Sequence, residues 1–105
     1  MSIIQLYGNV NKDGSIKSGS GFTIKHDPGK PGYYTVVFNH KFSSMPSATA
    51  IQNYIDWPEF NFTGGSTLDN VVLVAIDTGN AVFKTGDNTG NGQNRNFSFI
   101  IMGPA

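Results

Sequence analysis

The residues best suited to chemistry lie in Asp56-Trp57-Pro58-Glu59-Phe60-Asn61-Phe62, where the single tryptophan stands in a proline-broken segment among two acids and two phenylalanines. Aromatic faces stack on the apolar face of a sugar ring, and carboxylates and amides accept its hydroxyl protons. Asp56, Trp57 and Glu59 are therefore the first candidate ligand-binding residues. The other reading of the same residues is that Trp57, Phe60 and Phe62 cover one end of the fold or pack on a neighbouring subunit, where tryptophan is also enriched. As catalysts, Asp56 and Glu59 would have to stand about 5 to 10 Å apart, as the acid and base of a glycoside hydrolase do. A chain of 105 residues leaves little wall for a deep substrate cleft, and no catalytic residue is assigned.

A second polar segment, Gly86-Asp87-Asn88-Thr89-Gly90-Asn91-Gly92-Gln93-Asn94-Arg95, places acids, amides and one arginine where they could form a hydrogen-bonding rim. Asp87, Asn88 and Arg95 complete the candidate binding set. Arg95 can fork onto a carboxylate of an acidic sugar, or make a local or intersubunit ion pair. The runs Asp87 to Gly92 and Asn9 to Gly14 echo the oxygen-rich opening of a calcium loop. Counting twelve residues lands on Ser98 and Ser20, neither of which supplies the closing bidentate carboxylate, so no metal is expected. His26 and His40 flank a hairpin and could approach one another across paired strands, but two histidines are too few for a zinc site. No nucleophile paired with a base, no phosphate-binding Gly-Lys-Ser loop and no cysteine is found, and neither an enzyme nor a cofactor is expected.

The elements that must position these residues are strands. Tyr33-Tyr34-Thr35-Val36-Val37-Phe38 alternates with a period of two, putting Tyr34, Val36 and Phe38 on one face. β-branched and aromatic runs predict further strands at Ile3 to Tyr7, Ile16 to Lys17, Gly21 to Lys25, Ala48 to Ile55, Val71 to Ile76, Ala81 to Thr85 and Asn96 to Met102. Asp27-Pro28-Gly29-Lys30-Pro31-Gly32 and Asp77-Thr78-Gly79-Asn80 have the composition of hairpin turns. No window shows helical spacing. Tight turns without helices predict an antiparallel β-sandwich or small barrel of about six to eight strands. The expected core is Phe22, Ile24, Tyr34, Val36, Phe38, Val72, Val74, Phe97 and Phe99, with Ile100 and Met102 on the opposite face at a subunit seam. Residues 1–20 read as a polar N-terminal arm with the first strand, and 21–105 as the sandwich, one domain overall.

Seven basic residues balance seven acidic ones, so no global field draws in nucleic acid or an anionic membrane, and no nucleic-acid partner is expected. No basic region followed by a long apolar run marks a secretory signal, and no stretch approaches the ~20 apolar residues of a membrane span. The compartment stays open between a reducing cytosol and an extracellular or virion surface.

Gly19-Ser20-Gly21-Phe22, Gly32-Tyr33-Tyr34-Thr35-Val36-Val37-Phe38, Phe42-Ser43-Ser44-Met45-Pro46 and Phe97-Ser98-Phe99-Ile100-Ile101-Met102-Gly103 together resemble the tip domain at the C-terminal ends of phage tail-fibre and bacterial collagen-like surface proteins. No fibre or collagen repeat precedes the module in this sequence, which reads as a free-standing version or an excised fragment. The spacing Tyr34, Val36, Phe38, Phe42 and Pro46 is also similar, over the central third, to the H-type lectin fold. That likeness implies a β-sandwich that trimerises and binds sugars at loop edges between subunits. The combined expectation is an all-β, H-type-lectin-like homotrimer that binds a cell-surface glycan or host receptor without catalysis, or else a structural tip that only trimerises a fibre.

Overall fold

A computed structural model of the chain describes residues 2–54 and 65–105. Eight strands are formed among these residues: β1 (Ile3–Val10), β2 (Ile16–Gly19), β3 (Phe22–Lys25), β4 (Tyr33–Phe38), β5 (Ser47–Gln52), β6 (Asn70–Ile76), β7 (Asn80–Gly86) and β8 (Phe97–Pro104). Each overlaps a segment predicted as strand from alternation or from β-branched and aromatic composition, and no helix is found among the described residues. The strands make two four-stranded antiparallel sheets, ordered β2-β1-β8-β5 and β3-β4-β7-β6. Both turns read from sequence close hairpins. The Asp27 carboxylate accepts the Gly29 N–H at 2.8 Å between β3 and β4, and the Asp77 carboxylate accepts those of Gly79 and Asn80 between β6 and β7.

The sheets face one another across a single aromatic core, giving a sandwich-like arrangement. β8 sends Phe97, Phe99 and Ile101 inward, β4 sends Tyr34, Val36 and Phe38, and β7 sends Ala81 and Phe83. Rings from opposite sheets meet directly: Phe22 lies edge-on to Phe99 with centroids 5.0 Å apart, and Phe83 stacks on Phe99 at 5.8 Å. Gly8 makes room for them, because a Cβ there would stand 2.6 Å from both the Phe22 and the Phe99 ring. Gln52, at the end of β5, donates across the sheets to the carbonyls of Asn70 and Gly86 and ties the two edges β5 and β6 together.

Three expectations are corrected. Val72 and Val74 are not core: they are 53% and 51% exposed, and Val71 and Ile76 pack inward instead. The run Val71-Val72-Leu73-Val74-Ala75-Ile76 is apolar at every position and does not define its own parity. Register against β7, with an irregularity between Leu73 and Ala75, decides which side chains face in. The polar segment after Tyr7 does not lie out as an arm. β1 continues to Val10, pairs with β8 over its whole length and buries Val10 completely, and β2 pairs with β1. Gly8 and Asn9 looked too polar for a core because one fills a gap between rings and the other faces outward. Val10, Phe42, Ala81, Phe83 and Ile101 join the core beyond the expected set.

Candidate functional site

Alternation gives the second sheet an outer face as well as an inner one, and its cross-strand register sets up rows. Tyr33 pairs with Lys84, and Lys84 with Val72; one step along, Lys25 pairs with Thr35, and Thr35 with Val82. The Lys84 ammonium lies over the Tyr33 ring, 5.1 Å from its centroid. Two open grooves meet at this pair. One, of about 720 Å³, is lined by Lys25, His26, Asp27, Lys30, Tyr33, Thr35 and Val82. The other, of about 400 Å³, runs from Leu68, Asn70 and Val72 past Lys84 to Asp87, Asn88 and Gly90. Two of the residues singled out from sequence, Asp87 and Asn88, therefore line the second groove.

Asp87 acts there mainly as a loop organiser. Its Oδ1 accepts the Thr89 hydroxyl at 2.7 Å, the Thr89 N–H at 2.9 Å and the Asn91 N–H at 3.1 Å. The Thr89 hydroxyl first, and then its backbone N–H, hold the Asp87 carboxyl below the usual carboxylate range. Asn88 is left exposed at the tip. The other calcium-like run is spent in the same way: Asp13 Oδ1 accepts the Ser15 hydroxyl at 2.6 Å and the Ser15 N–H at 2.9 Å within the β1–β2 turn. Among the described residues no group of three or more histidines, cysteines, aspartates or glutamates could hold a metal.

Arg95 stands elsewhere. Its Nη1 is 3.5 Å from Asp69 Oδ2 and donates to the Tyr54 hydroxyl at 3.2 Å, while that hydroxyl also donates to Asp69. The Asp69 side chain is 9% exposed and that of Arg95 30%, so the carboxylate is the more shielded partner. The hydrogen bond to the Asp69 carboxylate raises the Tyr54 hydroxyl above the ordinary phenol value. Arg95 thus realises the local ion pair, one of its two sequence readings. Asp56, Trp57 and Glu59 lie outside the described residues.

The histidines are not brought together. Register Phe22 to Phe38 and Lys25 to Thr35 puts His26 at one end of the β3–β4 ladder and His40 beyond the other. Antiparallel pairing matches residues equidistant from the turn, and these two are not. His26 stacks on Tyr34 with centroids 4.3 Å apart and donates Nδ1–H to the Tyr33 carbonyl at 2.8 Å. Below it, the Tyr34 hydroxyl donates to the Lys12 carbonyl at 2.7 Å, and burial pushes that phenol up to about 12.

Sequence reasoning missed the Lys25, Lys30, Tyr33 and Lys84 cluster. Lys84 is about fifty positions from Tyr33 along the chain, and only the β4–β7 pairing unites them. A signal was present: Tyr33 and Thr35 bring a phenol and a hydroxyl to outward positions of a strand whose inward positions are Tyr34, Val36 and Phe38. Comparison with protein-family models, with curated proteins and with solved structures finds no match to this chain.

Proposed function

We propose that this domain is a non-catalytic carbohydrate-binding module that recognises a cell-surface glycan through shallow sites at the outer face and loop end of its second sheet. The observation that carries the reading is the pair of open grooves meeting at Tyr33 and Lys84, lined by an aromatic ring, hydroxyls, an exposed amide and carboxylates. Sugars need such a mixture: apolar ring faces to stack on and donors and acceptors for the hydroxyls. Shallow grooves bind weakly one at a time, so the module works as an oligomer, with the homotrimer implied by the tail-fibre tip and H-type lectin likenesses as its form. Trp57, with Asp56 and Glu59, adds a loop contact in this reading.

A glycan-array screen of the purified protein, paired with light scattering, tests it. Saturable signal inhibited by free sugar is expected, reduced in Asn88→Ala and Trp57→Ala with the oligomer intact. Silence across a broad array from a folded, assembled protein overturns it.

One observation favours a second reading, a structural tip with no sugar site. The outward positions of β1, β8 and β5 include Ile3, Tyr7, Ile51, Ile100 and Met102, all at least 43% exposed, and carry no charged side chain. A face that is both apolar and uncharged is the composition of an interface core.

A further inference from the structure

Three of the chain's seven basic residues, Lys25, Lys30 and Lys84, surround Tyr33 on one sheet face, although the whole chain is neutral. We infer that the β3–β4 groove binds the anionic group, carboxylate or sulfate, of an acidic saccharide. The inference rests on the saccharide reading above and names the class of sugar.

Lysine is a compact point charge that suits a single anionic group approached from several directions. Around it stand groups that read a sugar. The Tyr33 ring, 38% exposed, has the Lys84 ammonium over it, and Thr35 brings a hydroxyl. His26 borders the groove, and because the Tyr33 carbonyl can only accept, its Nδ1–H fixes the backbone there while its ring stacks on the buried Tyr34. Asp27 is the one acid in the groove, with Oδ1 accepting the Gly29 N–H of its own turn. Its carboxylate suits a sugar hydroxyl donor and repels a continuous phosphodiester chain. That acid and the zero net charge favour a saccharide with isolated anionic groups over nucleic acid, whose binding scales with the number of phosphates neutralised.

The test is a titration of the isotope-labelled protein followed by amide shifts and calorimetry, with four probes: a uronic-acid tetrasaccharide, a sulfated heparin tetrasaccharide, neutral maltotetraose and a short single-stranded oligonucleotide. One acidic tetrasaccharide is expected to shift the amides of Lys25, His26, Tyr33 and Thr35, and to bind at least about tenfold more tightly than the neutral one, with affinity falling as salt rises. Because heparin carries carboxylates as well as sulfates, binding of the uronic-acid tetrasaccharide points to carboxylate, and binding of heparin without it points to sulfate. The double variant Lys25→Gln/Lys30→Gln should lose at least about tenfold in that affinity with an unchanged circular dichroism spectrum. Neutral and acidic sugars binding equally, or shifts confined to Asp87 and Asn88, would overturn this inference and leave the saccharide reading standing. Silence from every sugar overturns both, and tighter binding of the oligonucleotide overturns the choice of saccharide.

Discussion

On the outer face of the first sheet, isoleucines, a tyrosine and a methionine lie open with no charge among the outward positions of β1, β8 and β5; on the outer face of the second, lysines gather around a tyrosine. Both faces obey the same alternation and hang from the same core. Several polar side chains of the first face bond one another. Asn9 donates to Ser18 at 2.7 Å, Ser98 to Asn9 at 2.5 Å and Asn53 to Ser98 at 2.7 Å, a ladder across β2, β1 and β8 to the residue just after β5. A shallow apolar groove of about 290 Å³ runs beside it, lined by Thr49, Ala50, Ile51, Ser98, Phe99 and Ile100. Face chemistry is thus separable from fold: one side suits packing against another surface, the other a solvated polar ligand.

The most severe way to break the comparison is to remove the core that supports both faces. Phe99→Ala takes away the ring that meets Phe22 and Phe83, and a loss of about 3–5 kcal/mol is expected in urea denaturation, with both faces losing their support together. Gly8→Ala acts on the same rings by overpacking and should cost about 1–3 kcal/mol.

Separating the faces comes next. Ile100→Lys places a charge at the centre of the apolar face, and light scattering should show the proposed oligomer weakened by roughly a hundredfold in association constant while the monomer stays folded. Lys84→Glu on the opposite face should leave the oligomer intact. A result in which both variants dissociate it equally would erase the distinction between the faces.

Alkaline titration offers a smaller and sharper probe. Tyr34, raised to about 12 by burial, should be the last phenol to ionise in ultraviolet difference spectra. A folded-state value above the unfolded one means that its contribution to stability is complete below about pH 10 and is lost as pH rises through about 12. Melting temperature should therefore fall across that window, and His26→Ala, which uncovers the Tyr34 ring, should bring the fall to lower pH.

The smallest effect is expected at Asp87. Its carboxyl is held low by Thr89, so the order it lends the loop is present above the unfolded carboxylate value and fades as pH falls through the depressed folded one. Asp87→Ala should leave global stability nearly unchanged and increase amide exchange at Thr89 and Asn91, measured by hydrogen exchange.

Much of the fold was legible because strands and hairpins are local. Alternation or β-branched and aromatic composition marked a segment overlapping every strand described, and Asp27 and Asp77 announced their turns through a side chain that accepts N–H groups two or three residues on. Less of the site could be read. Asp87 and Asn88 came from polarity alone, and the structure sets them on a groove; Arg95 was offered two partners, and the structure supplies Asp69. What the chain determined unaided was its class of structure, since a period of two is written residue by residue and turn chemistry spans only four or five positions. The tertiary fold decided the parity of β6, the inclusion of Val10 in the core, the separation of His26 from His40 and the meeting of Lys84 with Tyr33. Each of these depends on which strand lies beside which and in what register, and register is set by the packing of distant side chains that no local pattern contains.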